Sequence, residues 1–174
     1  MLPHFFNNDK KKEITNITGM IDRQALIDVI SANLGDDLFL IDVTVSRDNA
    51  IVVEIDAYER SVTIDDCVAL TRAVEAQFDR DVEDYELEVG SAGLTTPFKV
   101  KAQYDKNIGN PVEVLTTDGR KLKGTLTEAG DDAFVVEIEK MVKPEGAKRK
   151  VKVLENETLK YNEIKYTKYL IDFK

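Results

Sequence analysis

The sequence holds one cysteine, one histidine and four prolines in 174 residues. A single thiol, Cys67, makes no internal disulfide and no cysteine-based zinc site. The one histidine, His4, lies in the N-terminal arm, which removes most histidine-based catalysis. No apolar run approaches the roughly 20 residues that a membrane span requires. The opening stretch MLPHFFNNDKKKE lacks the charged-then-apolar order of a secretory signal. Several enzyme classes, disulfide scaffolds and helical membrane proteins are therefore not expected.

What is present is a globular composition, 43% hydrophobic and 33% charged. The length fits one medium domain or two small ones. The net charge of -9 is unevenly placed. Residues 1–97 hold 8 Lys+Arg against 20 Asp+Glu, and residues 98–174 hold 16 against 13. An acidic half joined to a basic half predicts two domains with different partners. The acidic half should repel nucleic acid and attract basic protein, while the basic half can approach phosphate.

Residues 1–19 read as a flexible arm, with Met20 standing as an alternative start. A first helix is expected from about Met20 to Leu34, with Thr18 as its cap and Leu26, Ile30 and Leu34 on one stripe. Residues 38–46 alternate as a strand, Arg47-Asp48-Asn49 form a short turn, and Ile51, Val53 and Ile55 continue as an antiparallel partner. A second helix begins near Ile64, capped by Thr63 with Asp66 three residues on. Its inward stripe is read as Ile64, Val68, Thr71, Val74 and Phe78, with Cys67 beside them as inert core. Residues 85–89 add a third strand. This order predicts a two-layer α/β domain over residues 20–97.

Residues 98–110 are expected to link the halves through a short helix, opened by Pro97 and capped by Thr96. Residues 111–174 read as short strands. Thr117-Asp118-Gly119-Arg120 centres on Asp-Gly, a two-residue hairpin signal, and Gly124 marks a bend. Val151 and Val153 are expected to point inward. The predicted fold class is α+β, with a small SH3-like or Sm-like barrel at the C-terminus.

Three groups of residues invite a chemical reading. The loop Gly90, Ser91, Gly93, Leu94 to Pro97 resembles a phosphate cradle only weakly, lacks the lysine of a P-loop, and reads as a structural turn. The carboxylates lack DxDxDG spacing and read as solvated faces. Lys143, Lys148, Arg149, Lys150 and Lys152 crowd into ten residues, with Lys121 and Lys123 on a neighbouring hairpin. Phosphodiester contact and a lysine-protected sheet edge both remain open for this set. No aromatics accompany it in a base-stacking pattern.

The segments VTIDDCVALTRAVEAQFD and DYELEVGSAGLTTPF resemble the signature region of the ribosome maturation factor RimP family. The match is carried by Asp65, Asp66 and Cys67, then by Tyr85, Leu87, Glu88, Val89, Ser91, Gly93, Leu94 and Pro97. The downstream stretches GRKLKGTL and EIKYTKYLIDF resemble the family's barrel. Gly90, Ala92 and Thr96 stand where the family usually has Ser, Pro and Arg. The resemblance implies a cytoplasmic, non-enzymatic assembly factor for the small ribosomal subunit. Its implied partners are the precursor particle, its rRNA and the ribosomal protein numbered twelve. The residues themselves lead to the same expectation of no cofactor, metal, catalytic residue, small-molecule substrate or membrane contact, and a monomer is expected. A generic Sm-like RNA-binding or adaptor module, and a small enzyme using the Gly90 loop, are the competing readings.

Overall fold

The computed structural model describes residues 21–171. The expected cap at Thr18 and the arm lie outside the described residues. The chain divides between Ala92 and Gly93 into two compact units.

In the first unit, α1 spans Arg23–Asn33 and begins later than the periodicity suggests. Asp22 caps it, accepting the Gln24 N–H at 3.2 Å, as a short acidic side chain does at this position. Strands β1 (Leu38–Val45) and β2 (Ala50–Ala57) pair antiparallel, with a bulge between Leu40 and Asp42. Helix α2 (Ile64–Gln77) carries the expected capping box between Thr63 and Asp66. It crosses over to β3 (Glu86–Ser91), which runs parallel to β2, giving the sheet order β1-β2-β3. Leu26, Ile30, Leu70 and Val74 of the helices close on Val43, Ile51, Val53 and Ile55 of one sheet face.

The inward stripe of α2 differs from the expectation. Leu70, Val74 and Phe78 are buried, whereas Ile64 is 82% and Val68 39% exposed. Among the described residues the sheet has three strands, so the core ends beside β3 and the first turn of α2 extends past it.

The hairpin joining β1 to β2 is pinned by Asn49. Its φ of 58° lies in the left-handed region, where Asn is among the few tolerated residues. The Asn49 N–H reaches Ser46 O at 3.1 Å and the Ser46 N–H reaches Ala50 O at 3.0 Å. Asn49 O also accepts the first β3 amide, that of Glu86, at 3.0 Å.

The second unit uses the same hairpin device. Gly119, with φ 91°, donates to Thr116 O at 3.1 Å, and Thr116 donates to Arg120 O at 2.9 Å. The loop is thus three residues with a left-handed last position, not the two-residue turn the Asp-Gly pair suggests. The strands are β4 (Pro111–Thr116), β5 (Lys121–Ala129), β6 (Ala133–Val142), β7 (Val151–Lys160) and β8 (Ile164–Tyr169). All neighbours are antiparallel in the order β7-β6-β5-β4-β8. The last strand returns beside the first, as in a small SH3-like barrel. The chain is thus α+β, with a two-layer α/β unit followed by a β-rich one.

Pro97 does not open the short helix. Helix α3 spans Lys101–Lys106, and the Gln103 side chain accepts the N–H groups of Lys99 and Val100 at 2.5 and 3.1 Å. Thr96 instead closes a turn on Gly93 O, with its N–H at 3.1 Å and its hydroxyl at 2.6 Å. Phe98 packs against the second core, and Tyr104 lies within it, 5% exposed. The Phe98 N–H donates to Thr167 O at 2.7 Å and the Tyr104 hydroxyl to Thr167 Oγ1 at 3.0 Å. Rings of Tyr104, Phe134 and Tyr161 pack around this point at centroid separations of 5.0 to 5.4 Å, with Tyr161 stacked on Phe134 and edge-on to Tyr104.

An expected result follows for the extent of the second unit. A fragment 93–174 should fold, while 108–174 should lose roughly 3–5 kcal/mol through removal of the Tyr104 ring alone. Chemical denaturation of the two fragments checks this. Equal midpoints would show that residues 93–107 contribute nothing to the second core.

Candidate functional site

The basic residues singled out in the sequence fall in two places. By register, Lys123 lies opposite Glu113 and Lys152 opposite Met141. Strand alternation then places Lys121, Lys123 and Lys152 on the outer sheet face, away from Val114, Leu126 and Val136 in the core. Lys143, Lys148, Arg149 and Lys150 lie in the exposed loop between β6 and β7. Lys152 meets Glu139 at 2.9 Å and Lys140 meets Glu155 at 2.8 Å, so part of the hairpin's charge is internally compensated.

This hairpin overhangs the core. Strand β6 pairs with β5 only as far as Ile138, yet its ladder with β7 continues to Val142 and Val151. Val151 and Val153, expected inward, are therefore 44% and 38% exposed. They keep the inward parity of the strand but lie beyond the last core residue. The result is a projecting two-stranded ribbon with a cationic end.

A buried carboxylate that the sequence reading did not single out organises the outer face. Glu113 is 7% exposed on β4. The Tyr166 hydroxyl donates to its Oε2 at 3.0 Å, and Lys168 Nζ lies 3.4 Å from the same oxygen. Lys123 Nζ stands 3.9 Å from Oε1. Burial alone would raise the Glu113 pKa, but the Tyr166 and Lys168 hydrogen bonds, with the charges of Lys121 and Lys168, hold it below its ordinary value. A lowered carboxylate pKa contributes stability above the ordinary glutamate range, and this is lost as pH falls through the lowered value. Glu113→Gln should cost about 1 kcal/mol at pH 7, since its lysine partners are partly solvated. The difference from the parent chain should shrink between pH 7 and an acid pH below that lowered value, where the parent Glu113 is itself protonated. Urea midpoints at the two pH values test this, and a constant difference would exclude the ionic origin. The only sequence signal was a glutamate on the alternating run Val112 to Leu115, where nothing marks its burial.

In the first unit, Arg60 gathers carboxylates. Its guanidinium meets Asp66 at 2.6 and 3.0 Å and Asp37 at 2.7 Å. Hydrogen bonds from Arg60, and then from the Thr63 backbone, hold the Asp66 carboxyl far below its usual range. The acidic start of α2 is thus tied into a cap and an ion pair. The sheet face turned away from the helices carries Asp42, Glu54, Asp56, Glu86 and Glu88 by register.

Cys67 is half-buried, and burial, followed by the charge of Asp66, pushes its thiol pKa up. Low nucleophilicity at neutral pH follows. It borders a groove of about 540 Å³ between α2 and β3, with Ile64, Val68, Thr71, Leu87 and Val89. Gly90 and Ser91 end β3 at this groove. Among the described residues, no group of three or more Cys, Asp or Glu side chains is placed to hold a metal ion. No helix among them is long and apolar enough to cross a membrane.

Residues 26–95 match the family model of the RimP N-terminal domain. The chain is 48% identical over 132 residues to the ribosome maturation factor RimP of Porphyromonas gingivalis, covering 75% of this chain and 86% of that protein. It is 35% identical over 137 residues to the RimP of Christiangramia forsetii, covering 78% of this chain and 88% of that protein. For the RimP of Flavobacterium psychrophilum the identity is 32% over 137 residues, covering 79% and 88%. The two-layer first unit, the barrel-like second unit and these identities agree: the chain belongs to the ribosome maturation factor RimP family.

Proposed function

We propose that the chain acts without catalysis in the cytoplasm, as an assembly factor that binds the precursor of the small ribosomal subunit. Family membership supports the maturation role. The observation that carries the mode of action is the segregation of charge between the two units. Residues 21–92 hold 18 carboxylates, five arginines and no lysine. Such a surface repels phosphate and attracts lysine- and arginine-rich protein segments. The ribosomal protein numbered twelve is its expected partner.

The second unit takes the other role. Lys143, Lys148, Arg149 and Lys150 at the ribbon end, with Lys121, Lys123 and Lys152 on the outer face, are proposed to meet rRNA backbone without reading sequence. Sucrose-gradient sedimentation tests the whole reading. The chain should co-migrate with immature small-subunit particles and not with mature large subunits. Migration only at the top of the gradient would favour an adaptor role outside the ribosome.

A further inference from the structure

Strand β3 is an open edge of its sheet among the described residues. Glu86 donates to Asn49 O on the β2 side at 3.0 Å. By alternation, the main-chain groups of Leu87, Val89 and Ser91 point to the open side. The side chains of Leu87 and Val89 line the groove beside α2. That groove is walled on the helix by Ile64, Cys67, Val68 and Thr71. Ile64 and Val68 are four residues apart and uncovered, at 82% and 39% exposure. Unpaired strand groups and an apolar slot thus run side by side.

Exposed strand edges are usually blunted by charged side chains, lysine above all, by proline or by a bulge. Strand β3, Glu86–Ser91, has no lysine, proline or bulge; its charges are Glu86 and Glu88, exposed on the far face, which repel an acidic strand and accept a cationic one. Asp65 stands at the start of α2 and Asp81 and Asp84 precede β3, all exposed. A second copy of the chain would set glutamates against glutamates, which is unfavourable across paired strands. A cationic strand is favoured at the same positions.

We propose that the β3 edge and its groove receive an extended cationic segment of a partner protein as a fourth strand, with every second, apolar residue seated between α2 and β3. The inference rests on the reading of the acidic unit as a receptor for basic protein. Main-chain ladder bonds supply affinity in such strand addition, and the slot selects alternate side chains. The far face of the added strand carries lysine or arginine opposite Glu86 and Glu88. The occupant is thus specified as a segment alternating apolar and cationic residues.

The test uses the full chain and a nine-residue, end-blocked peptide of alternating lysine and valine. Two control peptides replace valine by serine or carry N-methyl groups on alternate amides. The parent peptide should bind, shift the amide resonances of Leu87 and Val89, and slow iodoacetamide alkylation of Cys67 severalfold. Each control should bind at least tenfold more weakly. Ile64→Ser and Val68→Ser should each weaken the parent peptide severalfold, with melting temperatures unchanged because both side chains are exposed. Equal binding of all three peptides overturns strand addition but leaves the acidic surface as a receptor for basic protein. Binding that leaves Cys67 unprotected places the peptide elsewhere and also overturns the proposal. If no peptide binds even at low salt, the receptor reading fails with it.

Discussion

Gly124→Ala should unfold the second unit near physiological temperature while the first unit stays folded. Gly124 pairs with Val112 on one side and Ile138 on the other, at the centre of the five-stranded sheet. A Cβ there would collide with the carbonyl oxygen of Glu137 and approach its carbonyl carbon and Val136 Cγ1 to 2.9 Å. Two of these three atoms are backbone, so no flexible side chain can yield. Overpacking of this kind costs about 3–5 kcal/mol. A unit of this size has only some 4–12 kcal/mol of total stability. Its melting transition should fall by roughly 15–30 °C. Gly90→Ala is the matched control, because nothing lies within 4 Å of its added Cβ and its φ is not positive. That change should stay within about 0.5 kcal/mol. Calorimetry resolves the two transitions. A Gly124→Ala protein melting like the parent would show that β6 withdraws freely from β5.

Replacing Lys148, Arg149 and Lys150 together by glutamate should give the largest loss of particle binding. All three are exposed in the β6–β7 loop, and no partner for them is seen among the described residues. Each phosphate contact contributes nearly one unit to the log–log salt slope, so the slope should fall by about 2–3 units. Between 50 and 200 mM salt, that corresponds to roughly 40-fold less salt sensitivity. Stability should shift by only about 0.5 kcal/mol per exposed substitution. Sedimentation of particles across a salt series measures both affinity and slope. Unchanged affinity together with an unchanged slope would make the loop a solubilising edge of the ribbon.

Periodicity read the strands well because their alternation is local: Phe39, Ile41 and Val43 are all buried, as are Ile51, Val53 and Ile55. It read the Thr63–Asp66 capping box equally well, since a cap is satisfied within four residues. It misplaced Ile64 and Val68, because helical spacing says which residues share a face but not how far the opposing sheet extends. The same reason explains Val151 and Val153, whose parity is inward on a ribbon that has outrun its core. Glu113 was invisible because its partners, Tyr166 and Lys168, lie more than fifty positions away.

The sequence by itself determined the α+β class, the charge segregation and the family resemblance. These depend on composition, short-range periodicity and local motifs, all written along the chain. Only the tertiary structure decided that β3 is the edge strand of its sheet among the described residues, that Tyr104 belongs to the second core, and that Gly124 is pressed against the β6 backbone. It also decided which lysines are compensated by glutamate and which stand in the loop. Each of these depends on where a strand stops relative to its neighbours, and pairing register is set by contacts between distant residues rather than by any stretch of sequence.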